Sequence, residues 1–250
     1  MLLFERNLQA RGASARNFGM VWPIGQRSGP MFSAALASRA LWHRLLEETG
    51  VWGRPCGALH LAYREDERQV LAEFAESAAV EGRRCELIDA AQALQLSPAA
   101  RKDGLLGALW SPTEIGVDPR EAMHRAPGWL QRRYGVQLLF GTWINHVEGR
   151  CVASAAGDRW TVEKVIVAAG ADLDLLYPQL FKAAGFQRCK LQMMRTRPQP
   201  HGWALGPMLA GGLTLRHYEA FAGCRSLVTL RERIAAETPE LDRYGIHVLA

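Results

Sequence analysis

The sequence predicts an α/β fold (mixed α+β) built from two interleaved domains. Strand and helix patterns alternate along all 250 residues. Short, meander-like strands are inserted between the strand–helix units. No internal repeat or low-complexity linker divides the chain. Together these features describe a sheet domain of the nucleotide-binding type, interrupted by a second, more antiparallel domain.

Leu2 to Phe4 reads as a buried strand ending at Glu5, followed by a loop of small and polar residues from Asn7 to Asn17. Gly19 to Pro30 holds Gly, Pro and Trp, and cannot form one regular element. Phe32, Leu36, Ala40, Leu41 and Leu45 recur at helical spacing until Gly50 stops the helix. Ala58 to Ala62 is a short strand. Glu65 to Gly82 is a helix with Val70, Leu71, Phe74 and Ala78 on one face. Asp89 to Leu96 is a shorter helix, and Leu105 to Trp110 returns as strand. Asp118 opens a helix with Pro119 in its first turn and Glu121 three residues after the cap; Pro127-Gly128 should kink or break it. Strands follow at Val136–Phe140, Ile144–Glu148, Cys151–Ala155, Arg159–Val162 and Val165–Ala168. Two further strands are expected at Arg188–Thr196 and Gly211–Arg216, then a helix from Ser226 to Glu237.

Composition removes several function classes. Hydrophobic residues are 48% and charged residues 22%, ordinary values for a globular protein with a sizeable core. The net charge of +5 comes almost wholly from arginine, since Lys102, Lys164, Lys182 and Lys190 are the only lysines among 30 basic residues. The basic residues pair (Arg83-Arg84, Arg132-Arg133) but do not cluster, so nucleic acid is not an expected partner. Five cysteines, an odd number and none in a CxxC pair, argue against a disulfide framework or a zinc knuckle and for a reducing compartment. The start is apolar for only four residues, too few for a signal peptide, and Val165–Ala171 is too short to span a bilayer; a cytoplasmic location without an integral membrane segment follows. Seven scattered histidines form neither HxH nor HExxH, so no metal is expected. No Ser, Cys or Thr lies near a partner base in sequence, which leaves hydrolase chemistry unsupported.

Two segments carry chemistry. A dinucleotide-binding sheet runs strand, Gly-rich turn, helix, then a strand ending in an acid that binds ribose hydroxyls. Leu2-Leu3-Phe4-Glu5 has the form of that second strand, although an acid ending a surface strand has the same form. No GxGxxG occurs in the 250 residues. Val165-Ile166-Val167-Ala168-Ala169-Gly170-Ala171 is an apolar strand running into small residues that admit a bulky cofactor; a core strand and its turn read the same way.

Arg11-Gly12-Ala13-Ser14, Asn17-Phe18-Gly19-Met20 and the Ala168-Ala169-Gly170-Ala171 strand end resemble the glycine oxidase, sarcosine oxidase and D-amino acid dehydrogenase (DAO) family of FAD enzymes. Phe4–Gln26, Val165–Pro178 and Lys190–Thr196 look closest to a subgroup associated with phosphonate breakdown. The resemblance covers essentially the whole chain. It implies an FAD-binding, Rossmann-like domain in residues 1–50 and 113–186, interleaved with an antiparallel-sheet substrate domain in 51–112 and 187–250. It implies that Glu5, with Arg6 beside it, holds the adenosine ribose, and that Ala13 and Ser14 line the diphosphate. Asn17, Gly19 and Met20 would pass beside the flavin ring, Ile144 would sit at the adenine, and Ala169 and Gly170 would pack against the cofactor. Gln192, Met194, His217 and Tyr218 are the substrate-side candidates. Gln192 and Met194 share one face of their expected strand, which suits either an active site or, for Met194, the core. His217 and Tyr218 also fit a surface strand end.

The implied activity is oxidation of a small primary or secondary amine, of amino acid or aminophosphonate type, by hydride transfer to FAD, with oxygen or another acceptor taking the electrons. The resemblance also implies that the first strand and Gly-rich turn lie before Met1 and that more of the fold lies beyond Ala250. Two alternatives stay open: an inactive fragment of such an enzyme, and another FAD-dependent oxidoreductase such as a hydroxylase.

Overall fold

The structure, a computed structural model, describes residues 1–186, 190–200 and 202–250. Its strands are β1 (Leu2–Glu5), β2 (Met20–Val21), β3 (Gly53–Pro55), β4 (Ala58–Ala62), β5 (Glu86–Ile88), β6 (Gly107–Ser111), β7 (Ile115–Val117), β8 (Gln137–Phe140), β9 (Ile144–Glu148), β10 (Cys151–Ser154), β11 (Arg159–Thr161) and β12 (Met208–Ala210). Its helices are α1 (Pro30–Thr49), α2 (Glu65–Val80), α3 (Ala90–Leu96), α4 (Pro119–Tyr134), α5 (Pro178–Ala183), α6 (Leu227–Glu237) and α7 (Pro239–Arg243). The mixed α/β class expected from the sequence is the class observed.

The chain divides into two compact units. The first holds Met1–Gly19, Leu45–Trp52 and Asp118–Arg197; the second holds Met20–Arg44, Gly53–Val117 and Pro198–Ala250.

The second unit is built on a four-stranded sheet in the order β12-β4-β6-β5. Strand β4 runs antiparallel to β6, with His60 opposite Leu109, and parallel to β12. Alternation sends Ala58 and Ala62 of β4 into one apolar cluster and Leu59 and Leu61 into another, so both faces of the sheet are covered. Val70, Leu71, Phe74 and Ala78, the face read from helical spacing, are all buried in the first cluster with Leu227, Leu230 and Ile234 of α6. Burial of a side chain such as Phe74 contributes about 1.5–3 kcal/mol. Helix α2 starts on Glu65, Asp66 and Glu67, which complement its positive end. The Glu67 carboxylate accepts from the backbone N–H groups of Tyr63 (2.8 Å) and Arg64 (3.2 Å) and pairs with Arg233 at 3.1 Å. Asp89 caps α3, accepting from the Gln92 amide at 2.8 Å while Gln92 accepts from the Asp89 amide at 3.0 Å. A small antiparallel sheet, β2-β7-β3, completes the unit.

The first unit holds a parallel pair, β1 with β8, in register from Leu2↔Gln137 to Glu5↔Phe140. Beside it in sequence, β9, β10 and β11 form an antiparallel meander. Helix α4 is capped by the Asp118 carboxylate, which accepts from the Arg120 and Glu121 amides (2.8 and 3.1 Å), and it ends on Gly135 at φ +64°.

Four expectations are corrected. Helix α4 runs through Pro127 without a break. The lost backbone donor is offset by the Asp118 cap and by Trp129, whose indole N–H donates to Glu48 at 2.7 Å. Val165–Ala168 is not a strand: no described strand lies beside it to take its backbone hydrogen bonds, and Ile166 is 83% exposed. Of the expected strand Arg188–Thr196, Arg188 and Cys189 lie outside the described residues; Lys190 to Thr196 has no regular structure and is exposed throughout, so apolar content without a packing partner does not make a strand. Gly211–Arg216 gives a 3-10 turn (Gly212–Arg216), because the strand lies three residues earlier in β12, where Met208, Leu209 and Ala210 pair with β4. Gly212 rests against the Glu67 carboxylate, in space that a Cβ would need.

Candidate functional site

In the first unit, the sequence places an acid where parallel strands end. Glu5 is the last residue of β1, and ligands of α/β sheets bind outside such carboxyl ends. Its Oε1 accepts from the Asn7 backbone N–H (2.7 Å) and from Asn7 Nδ2 (2.8 Å). Its Oε2 has no hydrogen-bond partner among the described residues. The carboxylate is therefore fixed through one oxygen and presents the other. The Glu5 carbonyl accepts from the Thr142 amide at 3.0 Å, which ties the end of β1 to the turn before Ile144, the half-buried first residue of β9. Arg6 pairs with Asp172 at 2.8 Å, and the Asp172 amide donates to the Ala169 carbonyl at 3.2 Å. Within this unit, then, Glu5, Arg6, Ile144 and the Ala169-Gly170 turn belong to one neighbourhood.

The loop between β1 and Gly19 is ordered by its own hydrogen bonds. Gly12 at φ +64° opens a turn closed by the Arg16 amide donating to the Gly12 carbonyl at 3.0 Å. Asn17 locks the far side: its Nδ2 donates to the Ser14 carbonyl and its Oδ1 accepts from the Gly19 amide, both at 2.8 Å. Ala13 and Ser14 sit exposed at the crest, whereas Gly19 is buried at φ +67°.

The substrate-side candidates lie apart from one another. Gln192 and Met194 are exposed on the irregular stretch described above, so they share no strand face. Met20 belongs to the second unit, on β2, packed against its core. His217 and Tyr218 are also in the second unit. His217 lines an open groove with Arg216, Arg231, Glu232, Ala235 and Asp242, and its ring lies 4.2 Å from that of His247. Desolvation, then His247 and Arg216, push its pKa down to about 4, with Asp242 opposing. Tyr218 stacks on Trp22 at 6.2 Å, and burial raises its pKa.

Several buried polar residues were not singled out by sequence. The Glu114 carboxyl accepts from the Ile24 amide (3.1 Å) and the Thr113 hydroxyl (2.8 Å) through Oε1, while Oε2 has no partner among the described residues. Desolvation raises its pKa against those hydrogen bonds. Arg83 donates to the Gln26 carbonyl and the Ser28 hydroxyl, both at 3.0 Å, and stacks over Phe32 at 3.9 Å. Segment Ile24–Ser28 is thus held by charged side chains from two distant elements. His60 is fully enclosed, edge-on to Trp22 and Phe221 at 5.3 Å each, and burial lowers its pKa to about 3. His60 alone carried a sequence signal, a polar residue among the apolar ones of Ala58–Ala62; Glu114 and Arg83 sit among polar neighbours and carried none.

With this geometry in place, the comparisons are specific about family. The family described as DAO, FAD dependent oxidoreductase, matches residues 1–222. The chain belongs to that family, and FAD is the family's cofactor. The fold is similar to glycine oxidase from Geobacillus kaustophilus (24% identity, TM-score 0.61, covering 72% of this chain and 51% of that one). It is also similar to glycine oxidase from Bacillus cereus ATCC 14579 (22%, TM-score 0.57, 68% and 48%) and L-proline dehydrogenase from P. horikoshii (21%, TM-score 0.57, 82% and 53%). The chain therefore spans about half the length of these solved relatives. No curated protein matches it. No helix among the described residues is long and apolar enough to cross a membrane.

The first unit fits the adenosine end of FAD. A carboxylate oxygen without a partner among the described residues is a double acceptor suited to ribose hydroxyls, and the small residues Ala13 and Ser14 are exposed at the crest of the Gly12–Arg16 turn.

Proposed function

We propose that this protein oxidises a small primary or secondary amine, of amino acid or aminophosphonate type, using FAD. Membership of the DAO family carries the reading, together with solved relatives whose names are glycine oxidase and L-proline dehydrogenase. Bound FAD supplies the hydride acceptor, and oxygen or another acceptor drains the electrons. In this reading residues 1–50 and 113–186 serve FAD and 51–112 and 187–250 serve substrate, in a cytoplasmic enzyme. Glu5 accepts from the ribose hydroxyls, Arg6 braces it through Asp172, and Ala13 and Ser14 approach the diphosphate. Asn17 holds Gly19 and the loop in shape, while Ile144, Ala169 and Gly170 border the adenine side. His217 and Tyr218 face substrate. The assignment to a phosphonate-associated subgroup predicts that 2-aminoethylphosphonate or an N-substituted relative is preferred to glycine, sarcosine and proline.

The test is an FAD titration followed by anaerobic addition of each amine, read as loss of flavin absorbance. Glu5→Ala is expected to weaken FAD by roughly ten- to hundredfold, the equivalent of one charge-assisted hydrogen bond of about 1.5–3 kcal/mol. His217→Ala is expected to slow bleaching while leaving FAD affinity unchanged. Unaltered FAD affinity in Glu5→Ala removes the ribose assignment, and bleaching by none of the amines removes the substrate class.

A further inference from the structure

Glu114 joins three stretches of the second unit. Its carbonyl accepts from the Cys56 and Gly57 amides at 3.2 and 3.1 Å, tying the turn before β7 to the junction of β3 and β4. Its side chain is fully enclosed, and Oε1 accepts from the Ile24 amide at 3.1 Å. The next residue, Gly25, is buried against two rings: a Cβ there would lie 2.6 Å from Trp22 Cδ1 and 2.6 Å from Tyr218 Cδ1. Trp22 and Tyr218 also stack on each other. The backbone at Ile24-Gly25 is therefore the seat of the Tyr218 ring. Further on, Arg83 donates to the Gln26 carbonyl and the Ser28 hydroxyl, so the segment cannot take another path without losing buried hydrogen bonds.

A carboxyl is a costly group to enclose here. Oε2 has no partner among the described residues, and an apolar side chain of similar volume would avoid that cost. What an apolar side chain lacks is a hydrogen bond to a backbone atom, which sets the path of the chain where packing alone tolerates a shift. We propose that Glu114 is a positioning residue of the amine oxidation: by holding the Ile24 amide it fixes Gly25 and Trp22 beside Tyr218, and so sets the phenol against the substrate. The proposal rests on the reading that Tyr218 faces substrate, and adds to it a residue that acts through another.

The test is a double-mutant cycle on the FAD-loaded 250-residue chain, with flavin reduction followed at rising amine concentration. The amine is whichever of 2-aminoethylphosphonate, sarcosine, glycine and proline reduces the parent fastest. Glu114→Leu and Tyr218→Ala are each expected to lower the second-order reduction rate about tenfold or more, with FAD affinity within about twofold of the parent. Combining them is expected to cost no more than about twofold beyond Tyr218→Ala alone. Glu114→Gln keeps an acceptor oxygen at the same reach and is expected to bring the rate back to within about threefold of the parent. In the chain without FAD, exchange of the Ile24 and Gly25 amides is expected to quicken more than exchange in β4 and β6 when Glu114 becomes Leu. Effects that multiply in the double variant, a parent rate in Glu114→Leu, or no recovery in Glu114→Gln overturns the positioning role alone. So does failure of Glu114→Leu to fold, a loss of FAD affinity equal to its loss of rate, or uniform exchange, each of which marks a general structural role. A parent rate in Tyr218→Ala overturns the placement of Tyr218 at substrate, and a parent that no amine reduces overturns the proposed function. In either case Glu114 has nothing to position, and the inference falls with the reading it rests on.

Discussion

The two units use the same kinds of residue to different ends. The second unit closes both faces of its four-stranded sheet, with Leu59, Leu109, Leu230 and Ile234 fully enclosed. The first unit has a parallel pair whose β1 residues are only half-buried, and an apolar run, Val165–Ala168, that finds no partner strand among the described residues. Yet nearly every cofactor-side candidate lies in the first unit. Hydrophobicity alone thus does not report where structure is firm. The second unit shows that an apolar strand becomes one when neighbours take its hydrogen bonds and both faces, and Ile166 shows what the same chemistry does without them.

That contrast is breakable. Phe74 sits between Phe221 (4.7 Å) and the Arg83 guanidinium (5.7 Å) in the closed core. Phe74→Ala is expected to destabilise the protein by about 3–5 kcal/mol, and Ile166→Ala to change stability by less than about 0.5 kcal/mol, in denaturant titrations. Comparable losses at the two positions would mean that Val165–Ala168 is packed as firmly as the core.

A second test sharpens the contrast through pH. His60 is enclosed in the second unit with its pKa lowered from 6.5 to about 3. A depressed histidine pKa means that the unfolded chain protonates first as pH falls. The contribution of His60 is therefore fully present above pH 6.5 and declines continuously towards pH 3. Between pH 6.5 and about pH 5 the loss is about 2 kcal/mol at roughly 1.4 kcal/mol per unit. His60→Phe is expected to flatten this slope, read as denaturation midpoints across the range. A slope unchanged by the substitution would assign the acid sensitivity elsewhere.

Much of this was readable from sequence, and the limits have physical causes. The α2 face was legible because four residues repeat at helical spacing, and Glu5 because an acid ends a strand of three apolar residues. The α4 cap was legible from Asp118, Pro119 and Glu121. The strands β4, β8, β9, β10 and β11 were read where they lie, whereas apolar stretches without a described partner strand were misread. Val165–Ala168 and Lys190–Thr196 have strand-like composition, but pairing is decided by chain that is distant in sequence. The short strands β2, β3 and β7 went unread because they are two or three residues long and defined only by each other. Glu114, Arg83 and His60 went unread because burial of a polar group is a property of the whole unit. Within the candidate site, residue types were legible at Glu5 and the Gly12–Asn17 turn, whereas the Arg6–Asp172 pair spans 166 positions and has no local signature.

That pair offers the smallest test and the one closest to the site. Arg6 is about half exposed and Asp172 less so, at 2.8 Å. An exposed ion pair of this kind is worth under about 1 kcal/mol, because water and salt screen it and two long side chains must be held still. Asp172→Asn should therefore leave the global denaturation midpoint nearly unchanged. Its local consequence should be larger than its global one. The Asp172 amide closes the turn on Ala169, and the side chain is what joins that turn to the end of β1. Hydrogen exchange at residues 169–173 is expected to quicken in Asp172→Asn while exchange in β4 and β6 stays the same. Uniform acceleration across both units would show that the pair supports the whole fold, and unchanged exchange at 169–173 would show that other contacts hold the turn.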